Sequence, residues 1–191
     1  MRFLKHITLL ILMSSVFFSC KKLEERRFIF DGDNFIEFDA TALNAVTTGR
    51  TYPIITRIPG YGRSVISTST PSLNIVADPA LTRTSGTVKF RVNLITAQQD
   101  VDQVITYRVV ATEKDATGAD VVVTTAQSGV HYTTSGTFTI PAHSSFGEIT
   151  VNILNPGAST GTRDLVLELV GNSTIKPSPN YNKLGLRITQ S

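Results

Sequence analysis

Chemistry near neutral pH rests mostly on histidine, cysteine or paired carboxylates, and this chain is sparing with all three. It carries three histidines and one cysteine in 191 residues. His6 falls in an apolar leader, which leaves His131 and His143. A zinc site needs three or four ligands, and two histidines with no further cysteine do not supply them. His143 stands in a predicted turn and reads as a solvated turn residue; His131 reads as a packed or exposed side chain. Many serines are present, but no G-x-S-x-G elbow holds one up as a nucleophile. Glycoside hydrolysis requires two opposed carboxylates, whereas Asp100/Asp102 and Asp115/Asp120 lie in or beside turns. The expectation is a protein without catalytic residues, resident metal or cofactor.

The one cysteine is better placed than any of these groups. Arg2 and Lys5 give a positive start, Ile7 to Phe18 an apolar run, and Ser19 a small residue directly before Cys20. That is a secretory signal over residues 1–19 ending in a lipobox-like site, at which Cys20 is lipid-modified and becomes the first mature residue. The apolar run is about a dozen residues, short of the roughly 20 that span a bilayer as a helix. A lone cysteine also excludes a disulfide framework. Each buried acyl methylene contributes about 0.8 kcal/mol and a single chain is marginal, so diacylglycerol plus an amide-linked chain makes a firm anchor. The expected address is the cell envelope, with the protein held there by lipid.

Processing also changes the charge. The formal net charge of +3 and the pI of about 9.1 include the leader. Lys21, Lys22, Arg26 and Arg27 sit in a charged tether, residues 20–27, and from Phe28 onward 12 basic side chains face 13 acidic ones. No clustered basic face remains, so nucleic acid is excluded as a partner.

Residues 28–191 are enough for one domain with a real core, and they read as β throughout. Asn34–Ala40 is a first strand. Val88, Phe90, Val92 and Leu94 alternate with Lys89, Arg91 and Asn93, the period of a strand with one wet face. Ile105, Tyr107, Val109 and Ala111 alternate with outward Thr106, Arg108 and Val110. A turn at Lys114–Gly118 returns the chain along Val121–Thr125, which predicts a hairpin. Phe138/Ile140, Ile149/Val151/Ile153, Leu165/Leu167/Leu169 and Leu184/Leu186/Ile188 mark four more strands. Short strands between Gly-, Pro-, Ser- and Asn-rich turns predict an all-β, antiparallel two-sheet sandwich.

The least regular part of 28–85 holds Arg50, Tyr52, Pro53, Arg57, Pro59, Tyr61 and Arg63. Tyr52–Ile58 predicts a strand that Pro53 confines to an edge. Tyrosine and arginine are favoured contact residues, so Arg50, Tyr52, Arg57, Tyr61 and Arg63 form the candidate ligand-binding set. The chain has no tryptophan to stack on sugar. An exposed Tyr52–Tyr61 loop favours a glycan- or peptide-binding module. Burial of those rings favours an assembly subunit that docks on another envelope protein.

Ser128-Gly129-Val130-His131-Tyr132, followed by Ser135-Gly136-Thr137-Phe138-Thr139-Ile140-Pro141-Ala142-His143, resembles the Calx-β family, with its G-x-D-Y segment and S-G-T-x-x-I-P-A-G run. The resemblance extends over residues 86–190 and implies an immunoglobulin-like sandwich. It also implies calcium held by clustered carboxylates, as in adhesion or structural modules, and here the chain departs: His131 replaces the aspartate, and Thr160-Gly161-Thr162-Arg163-Asp164 offers one carboxylate. Calcium takes 6–8 oxygen ligands, for which Asp164 and Glu168 are the weak candidates left. Cys20-Lys21-Lys22-Leu23-Glu24-Glu25 resembles the tether of Bacteroidota surface lipoproteins. That likeness implies lipid-anchoring to the outer membrane with the body surface-exposed, beside an outer-membrane protein as in SusC/SusD-type nutrient uptake.

Overall fold

The alternating runs become long strands because each has one apolar face to bury. The computed structural model describes residues 32–39, 50–55, 86–157 and 161–190. The twelve strands among them are β1 (Phe35–Phe38), β2 (Ile54–Ile55), β3 (Gly86–Ile95), β4 (Gln103–Val109), β5 (Thr112–Lys114), β6 (Asp120–Val122), β7 (Tyr132–Thr134), β8 (Thr137–Ile140), β9 (Phe146–Ile153), β10 (Gly161–Gly171), β11 (Lys176–Pro177) and β12 (Lys183–Gln190). No helix occurs among the described residues, and none there is long and apolar enough to cross a membrane.

Two five-stranded sheets form a sandwich. One runs β11-β1-β3-β9-β7 and the other β2-β12-β10-β4-β8. With β1-β3-β9 facing β12-β10-β4, this is the strand order of an immunoglobulin-like fold. Between the sheets lie Ile36, Phe38, Val88, Phe90 and Val92 from one side and Ile105, Tyr107, Leu165, Leu167 and Leu186 from the other. Each such side chain contributes roughly 1.5–3 kcal/mol by leaving water. Tyr107 also ties the layers together, because its buried ring meets Phe138 and its hydroxyl hydrogen-bonds Thr134 of the opposite sheet. Gly147 marks where the sheets close at one side: a Cβ there would lie 2.6 Å from the Thr139 carbonyl oxygen.

Three details differ from the sequence reading. The sheets are mixed, since β1–β11 and β12–β2 pair in parallel while every other ladder is antiparallel. Both parallel pairs are two-residue edge additions, too short for the alternation pattern to show. The hairpin is smaller than expected: β5 and β6 form their own ribbon, and Ile105–Val109 pairs with β8 and β10 instead. The returning chain does rejoin at Ala111, whose carbonyl accepts the Val123 N–H. It then runs beside β10, where the Asp164 carbonyl accepts from Thr125 and Ala126. Third, Val110 points outward as its alternation requires yet is buried, because the outer face of that sheet is itself partly covered. Pro53 does fall at an edge, where its carbonyl accepts the Gly185 N–H.

Candidate functional site

The register of three strands builds the covered outer face. Pairing β10 with β12 sets Asp164 opposite Arg187, Val166 opposite Gly185 and Glu168 opposite Lys183; β4, on the other side of β10, sets Arg108 opposite Glu168. Two ion-paired rows therefore flank an apolar gap. Gly185 leaves that gap open, and Ile54 occupies it; a Cβ on Gly185 would come within 2.8 Å of Ile54 Cγ1. Tyr52, Val110, Val123 and Val166 close over the same spot as a second small core.

Beyond this core the β5–β6 ribbon projects from the sheet. Its turn is fixed by Asp115, whose carboxylate accepts from the Thr117 hydroxyl and the Thr117 and Ala119 N–H groups. Those bonds, the Thr117 hydroxyl first, hold the Asp115 carboxyl below its usual range. Between the ribbon and residues 50–51 runs an open groove of about 670 Å³ with Val110 and Val121 on its floor, and Arg50, Arg108, Glu113 and Lys183 around it. That volume lies within the roughly 300–1,000 Å³ of ordinary ligand sites. A smaller recess of about 230 Å³ adjoins it, shares Thr51 and Lys183, and is bordered by Tyr52, Glu168 and Asn182.

The charges are coupled in a chain. Lys183 Nζ lies 2.6 Å from Glu113 and 3.7 Å from Glu168, and Arg108 Nη2 lies 2.5 Å from Glu168. Lys114 pairs with Asp120 at the ribbon's outer end. Among the described residues Arg50 alone of the groove's cations has no carboxylate partner. Beneath it the Tyr52 hydroxyl is buried, close enough to the Glu113 carboxylate to feel it but without a hydrogen bond of good geometry to any described residue. Burial first, and the neighbouring Glu113 carboxylate second, push its pKa up to about 12, so it stays a neutral phenol.

Of the five proposed contact residues, Arg50 lines the groove and Tyr52 lies under it, 3% exposed. The Tyr52 ring packs in the small core with Val110 and Val166, an apolar seat that strand alternation alone did not show, while the residue borders the smaller recess. Arg57, Tyr61 and Arg63 lie outside the described residues, as does Cys20. Asp164 and Glu168 are not brought together. Four residues apart on one strand face, they are about 13 Å apart by strand rise. Both Asp164 oxygens accept from Arg187 at 2.8 Å, while Glu168 is held by Arg108 and Lys183. No cluster of three acidic, histidine or cysteine side chains occurs among the described residues. The groove's Glu113 and Lys183 escaped the sequence reading, because cross-strand register decides their meeting and no motif marks it.

The two histidines divide as their positions suggest. His143 is exposed in the turn after β8, with a φ of 59°. His131 is buried and its Nδ1 accepts the Gln127 N–H at 2.9 Å. A carboxylate accepts backbone N–H groups in turns in the same way, and in this turn the imidazole does so. Asp102 likewise accepts the Ala142 N–H.

No family model matches the chain, and no curated protein does. Among solved structures it is similar to the apo-form Calx CBD1 domain, at 9% identity over 84% of this chain and 99% of that one, with a TM-score of 0.46. It is similar to CBD12 from CALX1.2, at 11% identity, 58% and 40% coverage and a TM-score of 0.42. A third is a "putative carbohydrate binding protein" from Bacteroides ovatus, at 12% identity, 56% and 32% coverage and a TM-score of 0.40.

Proposed function

We propose that this chain is a non-catalytic, lipid-anchored protein of the cell envelope whose sandwich docks a partner as an accessory subunit at the outer membrane. The groove between residues 50–51 and the β5–β6 ribbon carries this reading, since it is the feature that a structural sandwich does not need. A ribbon set off from the sheet, with ion pairs along its base, presents a surface rather than enclosing a reacting centre. Burial of Tyr52 removes that ring as a sugar-stacking platform and favours a protein partner over a glycan. The lipobox-like run ending at Cys20 and the Lys21-Lys22 to Glu24-Glu25 segment support that address. Within that address, an uptake complex of the SusC/SusD type is the finer proposal, drawn from the tether's likeness to Bacteroidota lipoproteins.

Two measurements on the native protein test this. Mass spectrometry of the mature N-terminal peptide is expected to find an acylated Cys20. Crosslinking in intact cells from the Arg50 position, through a photoreactive residue, is expected to capture an outer-membrane protein. An unmodified thiol, or crosslinks confined to lipid and to the chain itself, would overturn the reading.

A further inference from the structure

The β5–β6 ribbon has an edge that no described strand uses. In an antiparallel ladder, residues that exchange N–H···O bonds alternate with residues whose backbone groups point away from the partner. Val123 donates to Ala111 and Asp115 donates to Ala119. The ribbon pairs Thr112 with Val122, Glu113 with Val121 and Lys114 with Asp120. The bonded positions of β5 are therefore 111, 113 and 115, and the N–H and C=O groups of Thr112 and Lys114 point outward. Among the described residues β5 has no partner except β6. Both Thr112 and Lys114 border the groove, across which Arg50 stands without a carboxylate.

Resting on the docking function proposed above, we infer that the groove binds an extended acidic segment of the partner protein, which pairs with β5 as a third strand. Backbone groups of Thr112 and Lys114 supply the ladder, in the mode of strand addition to an open edge. A glutamate or aspartate of the incoming strand meets Arg50, whose planar guanidinium suits a carboxylate in bidentate geometry. Apolar side chains of the same strand rest on Val110 and Val121. The ion pairs of Lys183 with Glu113 and of Arg108 with Glu168 hold the groove's base and leave Arg50 as the cation available to the ligand.

The test uses the full mature chain in detergent micelles and ten-residue peptides of alternating threonine and valine with a central glutamate. Counterparts carry glutamine at the centre, or N-methyl groups along one backbone edge. The glutamate peptide is expected to bind at least tenfold tighter than the glutamine one, and N-methylation of the pairing edge to abolish binding. Arg50→Gln is expected to erase the glutamate preference while leaving the β-type circular dichroism unchanged. Equal binding of the two peptides, indifference to N-methylation, binding only to an acidic oligosaccharide such as oligogalacturonate, or no binding at all would each overturn the inference. With Cys20 acylated and a crosslink from position 50 in hand, those outcomes leave the anchored docking function standing. An unmodified thiol removes that function whatever the peptides do.

Discussion

Tyr52 couples its own ionisation to folding. Its phenol is held neutral up to about 12, against 10.0 for the free group, by burial and by Glu113. A folded-state pKa above the unfolded one means that the native state retains the proton longer. The stabilisation is therefore complete below about pH 10 and is lost as pH rises through about 12. Tyr52→Phe should change stability at pH 7 by less than about 1 kcal/mol, since the hydroxyl makes no hydrogen bond of good geometry, and should flatten the alkaline loss. Urea unfolding of both proteins at pH 8 and pH 11.5 checks this; parallel losses would refute it. His131 differs in that its Nδ1 accepts a backbone N–H, although its Nε2 is buried without a partner among the described residues. Deleting its imidazole orphans the Gln127 N–H, so His131→Ala should cost about 1–3 kcal/mol, and His131→Asn should recover part through its amide oxygen. At this scale the sequence showed which residues stood in turns, Asp102, Asp115 and His143 among them. It did not show that Val110 and Val166 seat a tyrosine, because alternation labels a residue outward without saying whether anything covers it.

The elements were legible where their pattern was long. Gly86–Ile95, Phe146–Ile153, Gly161–Gly171 and Lys183–Gln190 all follow runs of alternating apolar residues. The two-residue strands β2 and β11 have no period to read and exist through pairing alone. The same holds for the groove: Glu113 faces Lys183 only because β12 and the ribbon are brought together by β10 and β4. Gly185 is the hinge of this arrangement, since its missing side chain admits Ile54 and so seats the segment that carries Arg50 and Tyr52. Gly185→Val should force Ile54 out and cost about 1–3 kcal/mol, as overpacking does. Adding Ile54→Ala should recover part of that loss, giving a non-additive cycle of the kind neighbours show. Denaturant midpoints of the single and double variants measure it, and simple additivity would mean that Ile54 does not occupy the space above Gly185.

For the molecule as a whole, the two ends of the functional proposal make separate demands. Asp164 and Glu168 are each satisfied by arginine or lysine and lie about 13 Å apart by strand rise. Calcium and EDTA should therefore shift the melting temperature by less than about 1 °C. A larger calcium-dependent rise would show that an ion site forms from other groups. The anchor makes the stronger demand. Near-balanced charge from Phe28 onward gives the body no electrostatic hold on an anionic membrane, where each basic side chain near the surface contributes about 1 kcal/mol. In the proposed tether, Lys21, Lys22, Arg26 and Arg27 are neighboured in sequence by Glu24 and Glu25, and fall short of the polybasic patch that can back up a single acyl chain. On the proposed function, membrane retention then rests on acyl chains at Cys20. Cys20→Ala, exported through an ordinary cleavable signal, should move from the membrane pellet to the soluble extracytoplasmic fraction at any ionic strength, with its β-type circular dichroism intact. If it stays with the pellet and 1 M salt releases it, charge holds the protein and the lipid is dispensable. If it stays through salt and leaves only in detergent, a partner protein holds it, and crosslinks from position 50 identify whether the β5 groove is where that partner sits.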